Sequence, residues 1–233
     1  MNEHISKQYD SELETLRSGV LQMGGLVESQ IRSAIEAFST GSRELIEKVI
    51  AAETRVDQHE VDIDNSCSHV IVKRQPAAGD LRLIMAIMRA VTDLERIGDE
   101  AEKIARMSGQ IHERGRPQLM SSGAIRHAAD IAISMLRDAL DALARLDAGD
   151  AAKVIRQDAA IDDEFRSIVR QLITFMMEDP RTISTALEIV WIAKAVERIG
   201  DHAKNIAEDV VHVVKGKDVR HATAEQIRAE LAE

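Results

Sequence analysis

Residues 93–105 read DLERIGDEAEKIA, and residues 195–207 read AVERIGDHAKNIA. The pentapeptide Glu-Arg-Ile-Gly-Asp recurs intact, with Glu95 matched by Glu197 and Asp99 by Asp201, an offset of 102. Upstream, Val49-Ile50 and Val56-Asp57 match Val154-Ile155 and Ile161-Asp162 at an offset of 105. Pro76 matches Pro180 at 104, so small insertions in turns or helix ends account for the drift. One unit is therefore used twice, and each half should present its helices in the same order. Two copies are too few for a solenoid.

Apolar residues recur at the 3.6-residue period around these motifs, which places them on helices. Six long helices are expected. The first covers 11–39 and stops near Thr40 and Gly41. Ser42 caps a second that runs to about 75, where Pro76 and Gly79 break it. Asp80 caps a third over 81–108. Residues 109–117, GQIHERGRP, are polar and turn-rich and join the halves. A fourth helix covers 118–147, Gly149 and Asp150 open a fifth that ends before Pro180, and Thr182 caps a sixth that runs to Lys215 and is closed by Gly216. The expected division is a first three-helix unit over 1–109, a linker at 110–117, a second unit over 118–216 and a tail over 217–233, with a short helix at 224–232. The fold class is all-α, two tandem three-helix bundles.

Composition agrees. The chain is 45% hydrophobic but only 2% aromatic, with three prolines in 233 residues, so Ala, Ile, Leu, Val and Met fill the core. That mixture favours helix over sandwich or barrel. A formal net charge of −10 disfavours nucleic acid and favours cations or basic protein surfaces as partners. The single cysteine, Cys67, excludes an internal disulfide and fits a reducing cytosol. Acids at Glu3, Asp10, Glu12 and Glu14 stand where a secretory signal would be apolar. The most apolar run, 186–196, is interrupted by Glu188 and Lys194, so no span is expected and any membrane association is peripheral or through a partner.

The chemistry-bearing residues are acidic pairs at i, i+4: Glu53 with Asp57, Glu95 with Asp99, Asp158 with Asp162, and Glu197 with Asp201. That spacing puts two carboxylates on one face of a helix, roughly 6 Å apart along the axis. Their repulsion weakens an isolated helix by a few tenths of a kcal/mol, and a cation would remove the penalty. If the second and third helices of a half face each other, four carboxylates converge, an all-oxygen set suited to hard or borderline cations. Forty acids in 233 residues produce roughly seven such pairs by chance, so recurrence at matched positions carries the signal. Asp10/Glu14 and Glu60/Asp64 lack such recurrence and are expected to be solvated. Arg96 and Arg198 keep a second reading open, a salt-bridged polar seam. Gly98 and Gly200, mid-helix, serve either close helix approach or room for a ligand. His202 follows Asp201 and is a weak further candidate. No glutamate is followed three residues on by histidine, which counts against a di-metal carboxylate oxidase. A purely structural scaffold is the remaining alternative.

At its two Glu-Arg-Ile-Gly-Asp motifs, and at Gly79-Asp80-Leu81-Arg82 after Pro76, the chain resembles the PhoU family of phosphate-specific transport accessory proteins. Arg181-Thr182-Ile183 departs from that pattern in the second half. The resemblance covers nearly the whole chain. It implies a cytoplasmic, non-enzymatic negative regulator of phosphate uptake and of phosphate-starvation signalling. The implied partners are the phosphate ABC transporter ATPase, a phosphate-sensing histidine kinase and a second copy in a homodimer. The implied cofactors are metal ions, whether iron, Mn, Mg or Zn. Carried over by position, their ligands are Glu95 and Asp99 with Glu53 and Asp57, then Glu197 and Asp201 with Asp158 and Asp162.

Overall fold

A computed structural model describes residues 7–113 and 122–217. The described residues form six long helices: α1 (Lys7–Thr40), α2 (Arg43–Arg74), α3 (Ala78–Glu113), α4 (Ser122–Arg145), α5 (Ala148–Glu178) and α6 (Ile183–Lys215). A 3-10 turn at Pro180–Thr182 joins the last two, and no strand occurs among the described residues.

Local chemistry explains the boundaries, including those that differ from expectation. Ser42 caps α2 as anticipated, its hydroxyl accepting from Leu45 N. Asp80 does not cap α3: the helix starts at Ala78 and Asp80 sits in the first turn, where a carboxylate favours the positive end of the helix dipole. Nor does α3 stop at Ser108. It continues to Glu113 because Ser108 and Ile111 are still buried on the core-facing stripe, so Gly109 does not end it. Asp147, rather than Gly149 or Asp150, caps α5, accepting from both Gly149 N and Asp150 N. Thr182 makes no side-chain cap for α6. Its hydroxyl donates instead to the carbonyls of Phe175 and Asp179, while Asp179 accepts from Arg181 N. The start expected for α4 at 118, part of the linker, and the tail helix at 224–232 lie outside the described residues.

Within each half the helices form an antiparallel up-down-up bundle. The ends show the direction: Glu12 near the start of α1 pairs with Lys73 and Arg74 at the end of α2. Between halves, among the described residues, repeat counterparts meet, α3 along α6 and α1 along α4. Arg89 pairs with Asp209, and Glu100 with Arg198, so α3 and α6 run antiparallel. Arg126 reaches Ser39, and Arg137 reaches Glu28, so α4 and α1 do too. Counterparts meeting antiparallel are what a pseudo-twofold axis between the halves produces.

The two bundles are not independent. One continuous apolar core draws on all six helices. The central helices are rich in small core residues: Ala86, Ala90, Ala101 and Ala105 on α3, and Ala193, Ala195, Ala203 and Ala207 on α6, are all buried. This arrangement leaves α2 and α5 on the outer flanks, each packed against the third helix of its own half. The acidic motifs therefore face each other across the α2–α3 and α5–α6 seams.

Candidate functional site

In the first half Glu53 reaches from α2 toward the backbone of α3. A β-carbon at Gly98 would lie 3.1 and 3.2 Å from the two Glu53 carboxylate oxygens and 3.4 Å from Gln30 Oε1. Gly98 is thus glycine because a carboxylate occupies the space a side chain would fill. Gln30, only 2% exposed on α1, donates to Glu53 Oε2 at 2.7 Å and to the Val49 carbonyl at 3.3 Å. Gln30 Oε1 and Glu53 Oε1 are both buried without a hydrogen-bond partner. Burial, against the Gln30 hydrogen bond and reinforced by Asp99, Asp57 and Glu102, pushes the Glu53 carboxyl up to about 7.

The rest of the first cluster lies along the same seam. Glu95 is raised by burial and then by the Asp99 charge, with Arg96 opposing. Arg96 lies at long ion-pair range, 3.4 Å from Glu95 and 3.5 Å from Asp99. Glu60 and Asp64 are not solvated as expected: both are half-buried and both are raised by burial. Thr92 approaches Glu60 Oε1 at 3.4 Å, and Asp64 Oδ1 is buried without a hydrogen-bond partner. The signal for these two was present in the sequence. Glu53, Asp57, Glu60 and Asp64 are spaced four, three and four, a single helical stripe that continues the motif toward the α2 C-terminus.

The second half places Asp158, Asp162, Glu197 and Asp201 at the equivalent seam but surrounds them differently. Lys194 Nζ donates to both carboxylate oxygens of Glu197, to Oε1 at 2.6 Å. Lys204 Nζ donates to Asp158 Oδ2 at 2.6 Å. Arg166 pairs with Asp162 at 3.1 Å and Asp163 at 2.7 Å. Asp201 is raised by burial, Glu197 and Asp158, with Lys194 and Lys204 pulling it back. Beside Gly200 the three nearest side-chain atoms belong to Ile161 and Met135 rather than to a carboxylate. A β-carbon there would meet Ile161 Cδ1 at 2.9 Å and Met135 Sδ at 3.7 Å. Arg198, the counterpart of Arg96, leaves its own motif and pairs with Glu100 on α3 at 2.6 Å. His202 also turns away, its Nδ1 lying 2.7 Å from Asp93 Oδ1.

Those last two residues belong to a polar seam between the halves that periodicity alone did not reveal. Asp93 also accepts from Asn205 at 3.1 Å, and the largely buried Asp209 accepts from Arg89 Nε at 2.8 Å. Asp64, Arg89, Asp93, Asn205, Glu208 and Asp209 line a cleft of about 560 Å³ between α2, α3 and α6. Its members are spread over three helices, so no single stripe announces them.

Chemically, the first cluster suits a cation. It combines hard oxygen donors, too few internal counter-charges, and unpartnered buried oxygens on Glu53, Gln30 and Asp64. Among the described residues no three His, Cys, Asp or Glu side chains already stand in position to hold one ion together. Closing on an ion requires side-chain rotation.

Comparison with known proteins places this architecture. A family model described as the PhoU domain matches residues 20–108 and again 125–210. A phosphate-specific transport system accessory protein PhoU homolog of Burkholderia sp is 46% identical over 231 residues, covering 99% of this chain and 98% of its own length. The crystal structure of PhoU from Pseudomonas aeruginosa superposes with a TM-score of 0.85 at 44% identity, covering 90% of this chain and all of that one. The phosphate transport system regulatory protein PhoU from Streptococcus pneumoniae superposes with a TM-score of 0.82 at 26% identity, covering 91% and 99%. Relatives described as accessory and regulatory proteins leave the oxidase alternative without support. With a PhoU domain in each half and almost its entire length shared with these proteins, the chain belongs to the PhoU family.

Proposed function

We propose that this protein is an accessory regulator of phosphate-specific transport, restraining phosphate uptake and phosphate-starvation signalling when phosphate is plentiful. The observation that carries the reading is end-to-end relatedness. The chain is 43% identical over its full length to the phosphate-specific transport system accessory protein PhoU of Escherichia coli (strain K12). It acts by binding rather than by catalysis. The proposed partners are the phosphate ABC transporter's ATPase and a phosphate-sensing histidine kinase, reached from the cytoplasm, with the protein working as a homodimer. No helix among the described residues is long and apolar enough to cross a membrane, which is consistent with attachment through such partners.

A metal ion is part of this proposal. In the first half Glu53, Asp57, Glu95 and Asp99 would hold it. Its contribution is positive charge that ties α2 to α3 and relieves their mutual repulsion. Gln30 holds the Glu53 carboxylate at its inner edge, and Gly98 keeps that position free of a side chain.

The test is genetic. Delete the gene in its host and follow phosphate uptake and starvation-gene output in phosphate-rich medium. Both should rise, and the full chain should restore restraint. A deletion that changes neither output refutes the regulatory reading. Full restoration by residues 1–109 or 118–233 alone refutes the idea that the two halves act together.

A further inference from the structure

We infer that cation binding is confined to the first half of this protein, and that in the second half Lys194 and Lys204 are built-in substitutes for the cation. The inference rests on the metal-binding part of the reading above and deepens it, dividing two motifs that are identical in sequence.

The two halves differ at matched positions around the motifs. Lys194 and Lys204 on α6 take the places of Thr92 and Glu102 on α3, at the same offset of 102 that relates the motifs. On α5, Phe165 and Val169 take the places of Glu60 and Asp64, and on α4 Met135 takes the place of Gln30, at the offset of 105. These replacements remove acids and polar atoms from the second seam and add two ammonium groups to it. The structure shows them engaged. Lys204 holds Asp158 at 2.6 Å, and Lys194 grips Glu197 while its Nζ lies 5.6 Å from the centre of the Phe165 ring. Glu197 is only 8% exposed, and its charge is answered at short range. A metal entering there would have to displace two ammonium groups, one from buried Glu197 and one from half-buried Asp158, a step opposed by the cost of unpairing each.

The first seam is the reverse. Among the described residues, the cation paired with Glu95 and Asp99 is Arg96, at 3.4 and 3.5 Å and more than half exposed. Gln30, 98% shielded from solvent, directs an unpartnered oxygen to within 3.4 Å of the same point beside Gly98 that the Glu53 oxygens approach. Apart from the Gln30 N–H already held by Glu53 Oε2, that point is faced by oxygen acceptors next to clustered carboxylates. In the second half the equivalent point is closed by Ile161 and Met135, which offer nothing to a hard cation. Two oxygens on α5, Gln157 Oε1 and Asp158 Oδ1, do lack a hydrogen-bond partner, but the Asp158 carboxylate is already held by Lys204.

The experiment is equilibrium dialysis of the metal-stripped full chain against Mn²⁺, with bound metal counted per chain. Four proteins are compared: wild type, Asp99→Asn, Asp201→Asn, and Lys194→Thr/Lys204→Glu, which restores the first-half residues to the second half. Wild type should bind Mn²⁺. Asp99→Asn should weaken binding at least tenfold, and Asp201→Asn should leave it within twofold. The double lysine variant should bind more metal than wild type, and a folded variant that gains none refutes the idea that the two lysines stand in for the cation. If Asp201→Asn costs as much as Asp99→Asn, the confinement is wrong although metal binding stands. If wild type binds no Mn²⁺, both the confinement and the metal reading fall. Helical circular dichroism accompanies each variant. Should the lysine variant fail to fold, the two aspartate variants decide the matter alone.

Discussion

Glu53→Gln is the substitution on which the reasoning about the first seam is most exposed. Burial lifts the Glu53 carboxyl from its ordinary value of about 4.5 to about 7 in the folded protein. The folded chain therefore holds the proton more tightly than the unfolded chain. Stability from this group is fully present below about pH 4.5 and is lost as pH rises through about 7. That interval corresponds to at most about 3 kcal/mol. Because the group is only half-buried, solvent screening reduces the expectation to about 1–2 kcal/mol. Glutamine has the same shape, carries no charge, and supplies an N–H beside the unpartnered Gln30 oxygen. In urea titrations with EDTA present, Glu53→Gln should be more stable than wild type by about 1–2 kcal/mol at pH 8 and within about 0.5 kcal/mol of it at pH 5. A variant that is less stable at pH 8, or whose difference from wild type does not change with pH, would show that Glu53 is a satisfied carboxylate. The account of an under-compensated seam would then be wrong.

Three further outcomes are expected. Gly200→Ala should destabilise by about 1 kcal/mol, because overpacking against the buried Ile161 outweighs the helix-propensity gain; thermal melts should show a smaller loss in an Ile161→Val background, which removes Cδ1 at 2.9 Å and keeps Cγ2 at 3.1 Å. Arg89→Ala should cost about 2–3 kcal/mol in denaturant unfolding by weakening the hold on buried Asp209, whereas Arg89→Met/Asp209→Leu should recover most of it. Cys67 is fully buried and its thiol is pushed up to about 12 by burial and the Asp64 charge, so iodoacetamide at pH 8 should label it only after unfolding.

Much of the fold could be read from the chain because helices are local objects. The apolar period, the Ser42 cap, Pro76 and Gly216 are short-range signals, and they place six helices in the right order. The misplaced boundaries have a common cause. Asp80, Gly109 and Thr182 carry local stop or cap chemistry, but tertiary burial extended α3 through Ile111, and the Asp179 turn drew the Thr182 hydroxyl away. The repeat of Glu-Arg-Ile-Gly-Asp likewise marked Glu95, Asp99, Glu197 and Asp201 as residues sharing helix faces, since i, i+4 spacing alone settles that.

What surrounds those carboxylates was a question for the tertiary structure. Residues near in sequence, such as Arg198 and His202, turned to partners on the other half of the protein. Residues from other helices, Gln30 beneath Glu53 and Lys204 beside Asp158, came to control the charge. The sequence by itself determined which acids repeat and that they lie on helices, because both follow from spacing along one chain. Only the packing of six helices into one core decided which of two identical motifs is left short of positive charge, because electrostatic compensation depends on distance through space.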